Sequence, residues 1–313
     1  MDVLSLEEID RFPGETALTV GIFDGVHQGH RRIVETVCEA ARRRRLAASA
    51  MTFDPHPAEA VAPRSRPPLL TTIHQRSELL AQLGLDTLVI ARDLPALFAL
   101  EPETFAEEIL ARRLRARLVV EGPDWTFGRG RRGDVRLLTA FGARHAFEVI
   151  EVPWLEIGGQ RVSSTAIRAM LREGDVVSAA DLLGRHYFAD GEVVAGAGRG
   201  AGLGVPTANI ATVNELLPAP GIYAGWASLE GRTYAAAVFV GQAVTFGATA
   251  PVFEAHLVDF AGGDVHGAAI RVTFAERLRP VRKFGSPQAL ADQMRRDIEA
   301  ARRAFQRAQD ETR

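Results

Sequence analysis

The stretch Leu18-Thr19-Val20-Gly21-Ile22-Phe23-Asp24-Gly25-Val26-His27-Gln28-Gly29-His30 limits the possible folds more than any other. Leu18 to Phe23 is a short apolar, β-branched and aromatic run, the pattern of a strand covered on both faces. Asp24-Gly25 ends it. From His30 onward Ile33, Val34, Val37, Cys38 and Ala41 recur at helical spacing, which predicts a helix with one buried face. His27-x-Gly29-His30 therefore falls where a strand passes into a helix N-terminus. Unpaired backbone N–H groups and the positive end of the helix dipole favour phosphate there. Two imidazoles add directed donors, and Gly29 lets a nucleotide approach the backbone. A loop histidine followed by a capping histidine is the plainer reading of the tetrapeptide alone. The strand before it and the helix after it favour phosphate.

Leu46 to Phe53 reads as a second strand, stopped by Asp54-Pro55-His56-Pro57. Leu79, Leu80, Leu83 and Leu85 predict a helix, Thr87 to Ala91 a strand, Pro102 to Arg115 a helix, and Arg117 to Glu121 a further strand. This alternation predicts a parallel sheet whose ligands gather beyond the C-terminal ends of its strands. His27, His30, Asp54, His56 and Asp124 all follow predicted strands and are expected on one edge. The run from Gly122 to Asp134 mixes aromatics, glycines and arginines. It suits a loop that stacks a ring and neutralises phosphate, and equally a glycine-rich surface loop. Ser163-Ser164-Thr165 can cap a following helix, whose first turn carries Arg168 against the dipole; an anion at that spot accounts for the arginine. Asp175 is expected to cap another helix through Leu183.

Beyond His186 helical periodicity stops. Tyr187–Val194, Gly221–Leu229, Thr233–Val240, Val252–Phe260 and Ala268–Ala275 predict a small antiparallel barrel or sandwich. Ser286 and Pro287 open a last helix with Leu290, Met294, Ile298, Ala301 and Phe305 as its buried stripe. Two domains are expected, 1–186 and 187–313, and 313 residues suffice for two cores. The second carries a glycine-rich run from Gly196 to Asn209. Pro206 excludes a dinucleotide fingerprint, and a Gly-Lys-Ser/Thr loop is excluded because Lys283 is the only lysine. Thr207 and Asn209 remain as oxygen ligands suited to Mg²⁺ and phosphate, on what is otherwise a flexible hairpin loop.

A formal net charge of −2 gives no global attraction to nucleic acid or acidic membranes. No apolar run approaches membrane-spanning length, and the acidic N-terminus is not expected to be a secretory signal. Cys38 is the single cysteine and is expected as an inert buried thiol. A cytoplasmic location is expected; self-association is not derivable.

Seven motifs in order resemble the prokaryotic bifunctional riboflavin kinase/FMN adenylyltransferase (FAD synthetase) family. They are Gly21–His30, Thr52–Pro57, Gly122–Gly128, Ser163–Arg168, Leu182–Arg185, Leu203–Asn209 and Val252–Phe260. The resemblance implies a Rossmann-like nucleotidyltransferase domain followed by a riboflavin-kinase-type Greek-key β-barrel with a C-terminal helix. It implies riboflavin, FMN, FAD, ATP and pyrophosphate as small-molecule partners, with ATP as co-substrate and Mg²⁺ as cofactor. By the same resemblance His27, His30 and Arg168 serve adenylyl transfer. Gly21, Phe23, Asp24, Gly25, Gly29, Ser163, Ser164 and Thr165 bind ATP there, and Asp124, Trp125, Phe127 and Gly128 form a flavin and nucleotide loop. In the kinase half Gly198, Gly200, Gly204, Thr207 and Asn209 bind ATP, Thr207 and Asn209 hold the metal, and Glu254 is the general base. Val205, Ala201 and Val244 depart from the family pattern, all in the kinase half. They leave open a monofunctional FMN adenylyltransferase whose barrel only binds flavin.

Overall fold

The computed structural model describes residues 1–61, 63–195, 205–245, 248–263 and 265–311. The expected Gly198, Gly200 and Gly204 lie outside the described residues, as does Ala201. The first part of the chain runs β1 (Asp2–Ser5), β2 (Thr16–Val20), α1 (Gln28–Arg44), β3 (Ala47–Phe53), α2 (Pro57–Val61), α3 (Ile73–Gln82), β4 (Thr87–Ala91), α4 (Leu94–Ala99) and α5 (Pro102–Thr104). A π-helical run, Phe105–Arg113, continues α5. Then come β5 (Ala116–Glu121), α6 (Val135–His145), β6 (Glu148–Glu151) and the hairpin β7 (Glu156–Ile157) and β8 (Gln160–Arg161).

Six of these strands form one parallel sheet in the order β1-β4-β3-β2-β5-β6. The chain winds from β2 through β3 to β4, then returns to place β5 on the other side of β2. Strand order reverses between β2 and β5, and ligands of such sheets bind beyond the carboxyl ends of the strands at that point. Beneath it Leu18, Met51, Val89 and Val119 are buried in one core cluster.

The first strand is shorter than its composition predicts. It stops at Val20, because Phe23 takes a left-handed backbone (φ 51°) and the chain turns into α1. The predicted helix with Leu83 and Leu85 likewise stops at Gln82, Leu83 serving as its C-cap. Several arginines make contacts within this part of the chain: Arg113 donates to the Leu6 and Ile9 carbonyls, Arg117 binds Glu15, and Arg129 and Arg132 pair with Glu101. Cys38 is buried and free.

The remainder comprises α7 (Ser164–Glu173), α8 (Val176–Leu183), β9 (Tyr187–Val194), β10 (Ala208–Thr212), β11 (Gly221–Leu229), β12 (Arg232–Thr245), β13 (Ala248–Leu257), β14 (Ala269–Arg279) and α9 (Pro287–Glu311). Six strands close into a barrel in the order β10-β13-β12-β11-β14-β9. Of the predicted alternatives the barrel is found, not the sandwich. β11, β12 and β13 pair consecutively and β14 returns between β11 and β9, the non-sequential return of a Greek key. Tyr187, Tyr223 and Phe274 fill its interior. By packing the chain divides into Met1–Ser163 and Ser164–Arg313. This division precedes the change of sequence texture near residue 186, because α7 packs on α8 and α8 on β9 and β14.

Helix α9 opens as predicted, with the Ala289 N–H donating to Ser286 Oγ. Its deepest residues are Ala291, Asp297, Ala301 and Ala304, while Leu290, Met294, Ile298 and Phe305 are half-buried. Alanines bring the helix backbone close to β11, where Ala301 and Ala304 meet Ala224. Asp297 is buried because Arg279 of β14 pairs with it at 2.7 Å. Small side chains and a paired carboxylate hold this face, so a stripe of large apolar residues underestimates it.

Candidate active sites

The loop from Gly21 to His27 is held in an unusual shape. Phe23 and Val26 both have positive φ (51° and 41°), a conformation strained for an aromatic and above all for a β-branched residue. Asp24 maintains it. Its buried carboxylate accepts from the Leu70 N–H (3.0 and 3.1 Å), the Thr71 N–H (3.0 Å) and the Thr71 hydroxyl (3.1 Å). The Thr71 hydroxyl in turn accepts from the Gly25 N–H at 3.0 Å. Asp24 thus acts as a clamp, tying the loop to the segment that leads into α3.

His27 is the N-cap of α1, its Nδ1 accepting from the His30 N–H at 3.2 Å. The two imidazoles stack, with centroids 3.6 Å apart and planes 14° from parallel, and Phe23 stands edge-on to His30 at 5.4 Å. A Cβ on Gly29 would meet the His27 ring at 3.2 Å, so the glycine makes room for the ring as well as for a ligand. Burial, then the neighbouring His27 and Arg76, hold the His30 ring well below the usual imidazole range. A neutral imidazole keeps one N–H to donate, and no acid limb near pH 6.5 arises from it before ligand binds.

Glu121, at the end of β5, occupies the point where β2 and β5 part. Their ladder pairing reaches Leu18↔Val119, and beyond it the Glu121 carboxyl accepts from the Val20 N–H at 2.6 Å. Burial raises this carboxyl well above the usual range, only partly offset by the Val20 and Thr19 donors. A group kept neutral by folding contributes its full stability below the ordinary carboxylate pKa and loses it as pH rises toward the folded value. Glu121→Gln is therefore expected to melt progressively higher than wild type as pH is raised from 5 to 8. The gap should grow by at most about 1.4 kcal/mol per pH unit. Thermal melts of both chains across that range read it directly.

The loop after β5 is organised from within. Phe127 is buried against Phe105 at 5.7 Å, and Trp125 stacks on Phe127 at 4.7 Å. Gly128 has φ 70° and ψ −179°, a region open only to glycine, and a Cβ there would lie 2.7 Å from Pro102 Cα. Gly128→Ala is expected to cost at least about 1–3 kcal/mol of stability, measured by denaturant titration. Asp124 accepts from Arg161 at 2.6 Å and from the Trp154 indole at 3.4 Å. Burial raises its carboxyl, but these donors outweigh it and hold Asp124 below the usual range. Arg161 also stacks on the exposed Trp154 ring at 4.1 Å. Neither residue was expected there; an aromatic and an arginine shortly before Ser163 were the available signal.

Of the remaining expected residues, Arg168 is buried on the first turns of α7, which begins at Ser164 and includes Thr165. On the barrel, β10 and β13 bring Asn209 opposite Glu254, and the Thr207 hydroxyl lies 3.5 Å from Glu254 Oε2. His256 Nδ1 and the Pro206 carbonyl are 2.7 Å apart, fixing the chain just before Thr207. A hydroxyl, an amide oxygen and a carboxylate are the hard oxygen donors that Mg²⁺ accepts alongside phosphate. Among the described residues no group of three or more His, Cys, Asp or Glu could hold a metal, so phosphate and water oxygens must complete any shell here.

Stacked imidazoles at a strand–helix junction of a parallel sheet and an oxygen cluster on a closed antiparallel barrel are two separate arrangements, each suited to phosphate. A doubly wound parallel sheet followed by such a barrel is, in class, a two-domain, ATP-dependent transferase. The FAD synthetase family model matches residues 9–166 and the riboflavin kinase model residues 183–305. The bifunctional riboflavin kinase/FMN adenylyltransferase of Escherichia coli K12 is 32% identical, covering 97% of each chain. That of Bacillus subtilis is 31% identical, covering 93% of each. A solved structure described as a macrolide-efflux protein from Streptococcus pneumoniae superposes with a TM-score of 0.88 at 29% identity, over 96% of this chain and 99% of that one. The chain belongs to the bifunctional riboflavin kinase/FMN adenylyltransferase family and carries both of its enzyme domains. The monofunctional alternative gives way to the bifunctional reading. Among the described residues no helix is long and apolar enough to cross a membrane.

Proposed function

We propose that His27 and His30 bind the polyphosphate of ATP during adenylyl transfer to FMN, and that Glu254 activates riboflavin for phosphorylation. The stacked imidazole pair at the start of α1 carries the first assignment. In adenylyl transfer the FMN phosphate is itself the nucleophile, so little proton chemistry is required. Positioning and stabilisation of charge on the α-phosphoryl and departing pyrophosphate supply the rate. The His27 and His30 N–H groups donate to that charge, as does the N-terminus of α1. Ser163, Ser164, Thr165 and Arg168 bind phosphate at the start of α7. Gly21, Phe23, Asp24, Gly25 and Gly29 shape the loop, and Asp124, Trp125, Phe127 and Gly128 form the flavin-side wall.

In the barrel, Glu254 accepts the proton of the ribityl 5′-hydroxyl as its oxygen attacks the γ-phosphoryl of ATP. Thr207 and Asn209 would hold Mg²⁺, which when bound neutralises phosphate charge. The functional domains are taken as 1–186 and 187–313, and the enzyme as cytoplasmic, acting on small molecules rather than nucleic acid. The test supplies riboflavin, ATP and Mg²⁺ and follows flavins by chromatography. FAD must form without added FMN, with FMN appearing first; its absence refutes the proposal.

A further inference from the structure

Among the described residues Trp154 is the one aromatic side chain that stands in the open, 53% exposed. A single apolar side chain at the surface needs no explanation. Trp154 differs in being held still. The stretch that carries it away from β6 is fastened on both sides of the ring. The Val152 N–H donates to the Glu121 carbonyl at the end of β5 (2.8 Å), and the Leu155 carbonyl accepts from the Val162 N–H (2.9 Å). The indole N–H donates to Asp124 Oδ1 at 3.4 Å. The Arg161 guanidinium lies over the ring, 4.1 Å from its centroid, and donates to Asp124 Oδ2 at 2.6 Å. An ion pair as solvated as this one adds little stability. What it does is fix the plane of an open ring.

The cluster follows the C-terminal ends of β5 and β6, the side of such a sheet on which ligands bind. Val162, next to Arg161, comes within 3.9 Å of where a Cβ on Gly29 would lie, which sets the end of the β7–β8 hairpin beside the His27–His30 turn. A Cβ on Gly122 would meet both Asp124 Oδ1 at 3.6 Å and Ile33 Cδ1 of α1 at 3.9 Å, so Asp124 also stands close to that helix. A ligand whose phosphate sits at the turn thus has a flat, immobilised aromatic surface in the same group of loops. We propose that Trp154 stacks on the isoalloxazine ring of FMN and sets the affinity for flavin in adenylyl transfer, which rests on the reading of the Asp124 loop as the flavin side of that site. Arg161 covers one face of the indole and leaves the other for the substrate. An indole is electron-rich and an isoalloxazine electron-poor, and offset stacking of such rings is favourable. Holding the indole in place beforehand lowers the cost of ordering it on binding. In this role Trp154 meets neither the phosphates nor the reacting atoms, so it acts on binding rather than on the chemical step.

The test labels the full-length chain with fluorotryptophan and follows its three tryptophans, Trp125, Trp154 and Trp226, by ¹⁹F spectroscopy. The Trp154 and Trp125 signals are assigned by their loss in Trp154→Phe and Trp125→Phe. FMN is expected to shift the Trp154 signal, both alone and beside an ATP analogue whose α–β bridge is an uncleavable methylene. A shift produced by the analogue alone, with no further change when FMN is added, gives the ring to adenine and overturns the proposal. A Trp125 signal that moves with FMN while Trp154 stays still overturns it too, and leaves the flavin-side reading intact. If FMN moves neither signal, that reading fails and the proposal with it. In steady-state assays Trp154→Ala is expected to raise KM for FMN about 10-fold, with kcat and KM for ATP held within a factor of about two. Trp154→Phe keeps a ring and should restore most of the loss. Riboflavin phosphorylation by the same chains should not change and reports that they are folded. An unchanged KM for FMN in Trp154→Ala overturns the proposal.

Discussion

Replacing His27 by asparagine and His30 by glutamine in one chain is expected to stop FAD formation while FMN still accumulates from riboflavin. Loss of one preorganised donor to developing charge typically costs about 10²–10³-fold in rate, and here both stacked imidazoles give way to flexible amides that are no longer held in that geometry. Asparagine is itself a strong N-cap, so α1 keeps a side-chain acceptor at the position where His27 Nδ1 now receives the His30 N–H. The defect is therefore one of chemistry rather than of helix stability, and circular dichroism should be unchanged. Chromatography of flavins formed from riboflavin and ATP reads both products at once. Undiminished FAD would remove the imidazole pair from the mechanism.

Glu254→Ala has the complementary outcome. FMN formation is expected to fall about 10²–10⁴-fold, the usual contribution of a positioned general base, while added FMN is still converted to FAD. The separation follows from the fold: Glu254 sits on β13 between Asn209 of β10 and Phe239 of β12, within a closed barrel. His27 and His30 belong to a parallel sheet with its own core. Loss of both activities in Glu254→Ala would contradict two independent sites.

The sequence was most legible where one local rule decides the outcome. Thr87–Ala91, Tyr187–Val194 and Gly221–Leu229 have their predicted ends, because each is a β-prone run bounded by turn chemistry. The strand–helix junction at His27 was legible because motif and periodicity agreed. The end of β2 was not. Phe23 belongs by composition to a strand, and only the clamp between Asp24 and Leu70-Thr71, far along the chain, turns it into the left-handed region. Glu121 was missed for a related reason. It is a charged residue closing an apolar run, and its place depends on the Val20 N–H of another strand, which spacing cannot reveal. Thr207, Asn209 and Glu254 came only from resemblance to a family; cross-strand register then placed Asn209 opposite Glu254.

Barrel closure has a consequence for behaviour in a crowded solution. With β9 joined to β10, each of the six barrel strands has a paired neighbour on both sides, and only the far end of the β12–β13 hairpin runs beyond its outer neighbours. The parallel sheet does have edges, but they are β1 and β6, four residues each, and β6 begins and ends on glutamate. Short, charged borders are poor templates for strand addition. Once folded, the polypeptide should therefore resist the edge-to-edge association that leads to aggregates, and insoluble material should trace to folding intermediates in which β9 and β10 have yet to meet.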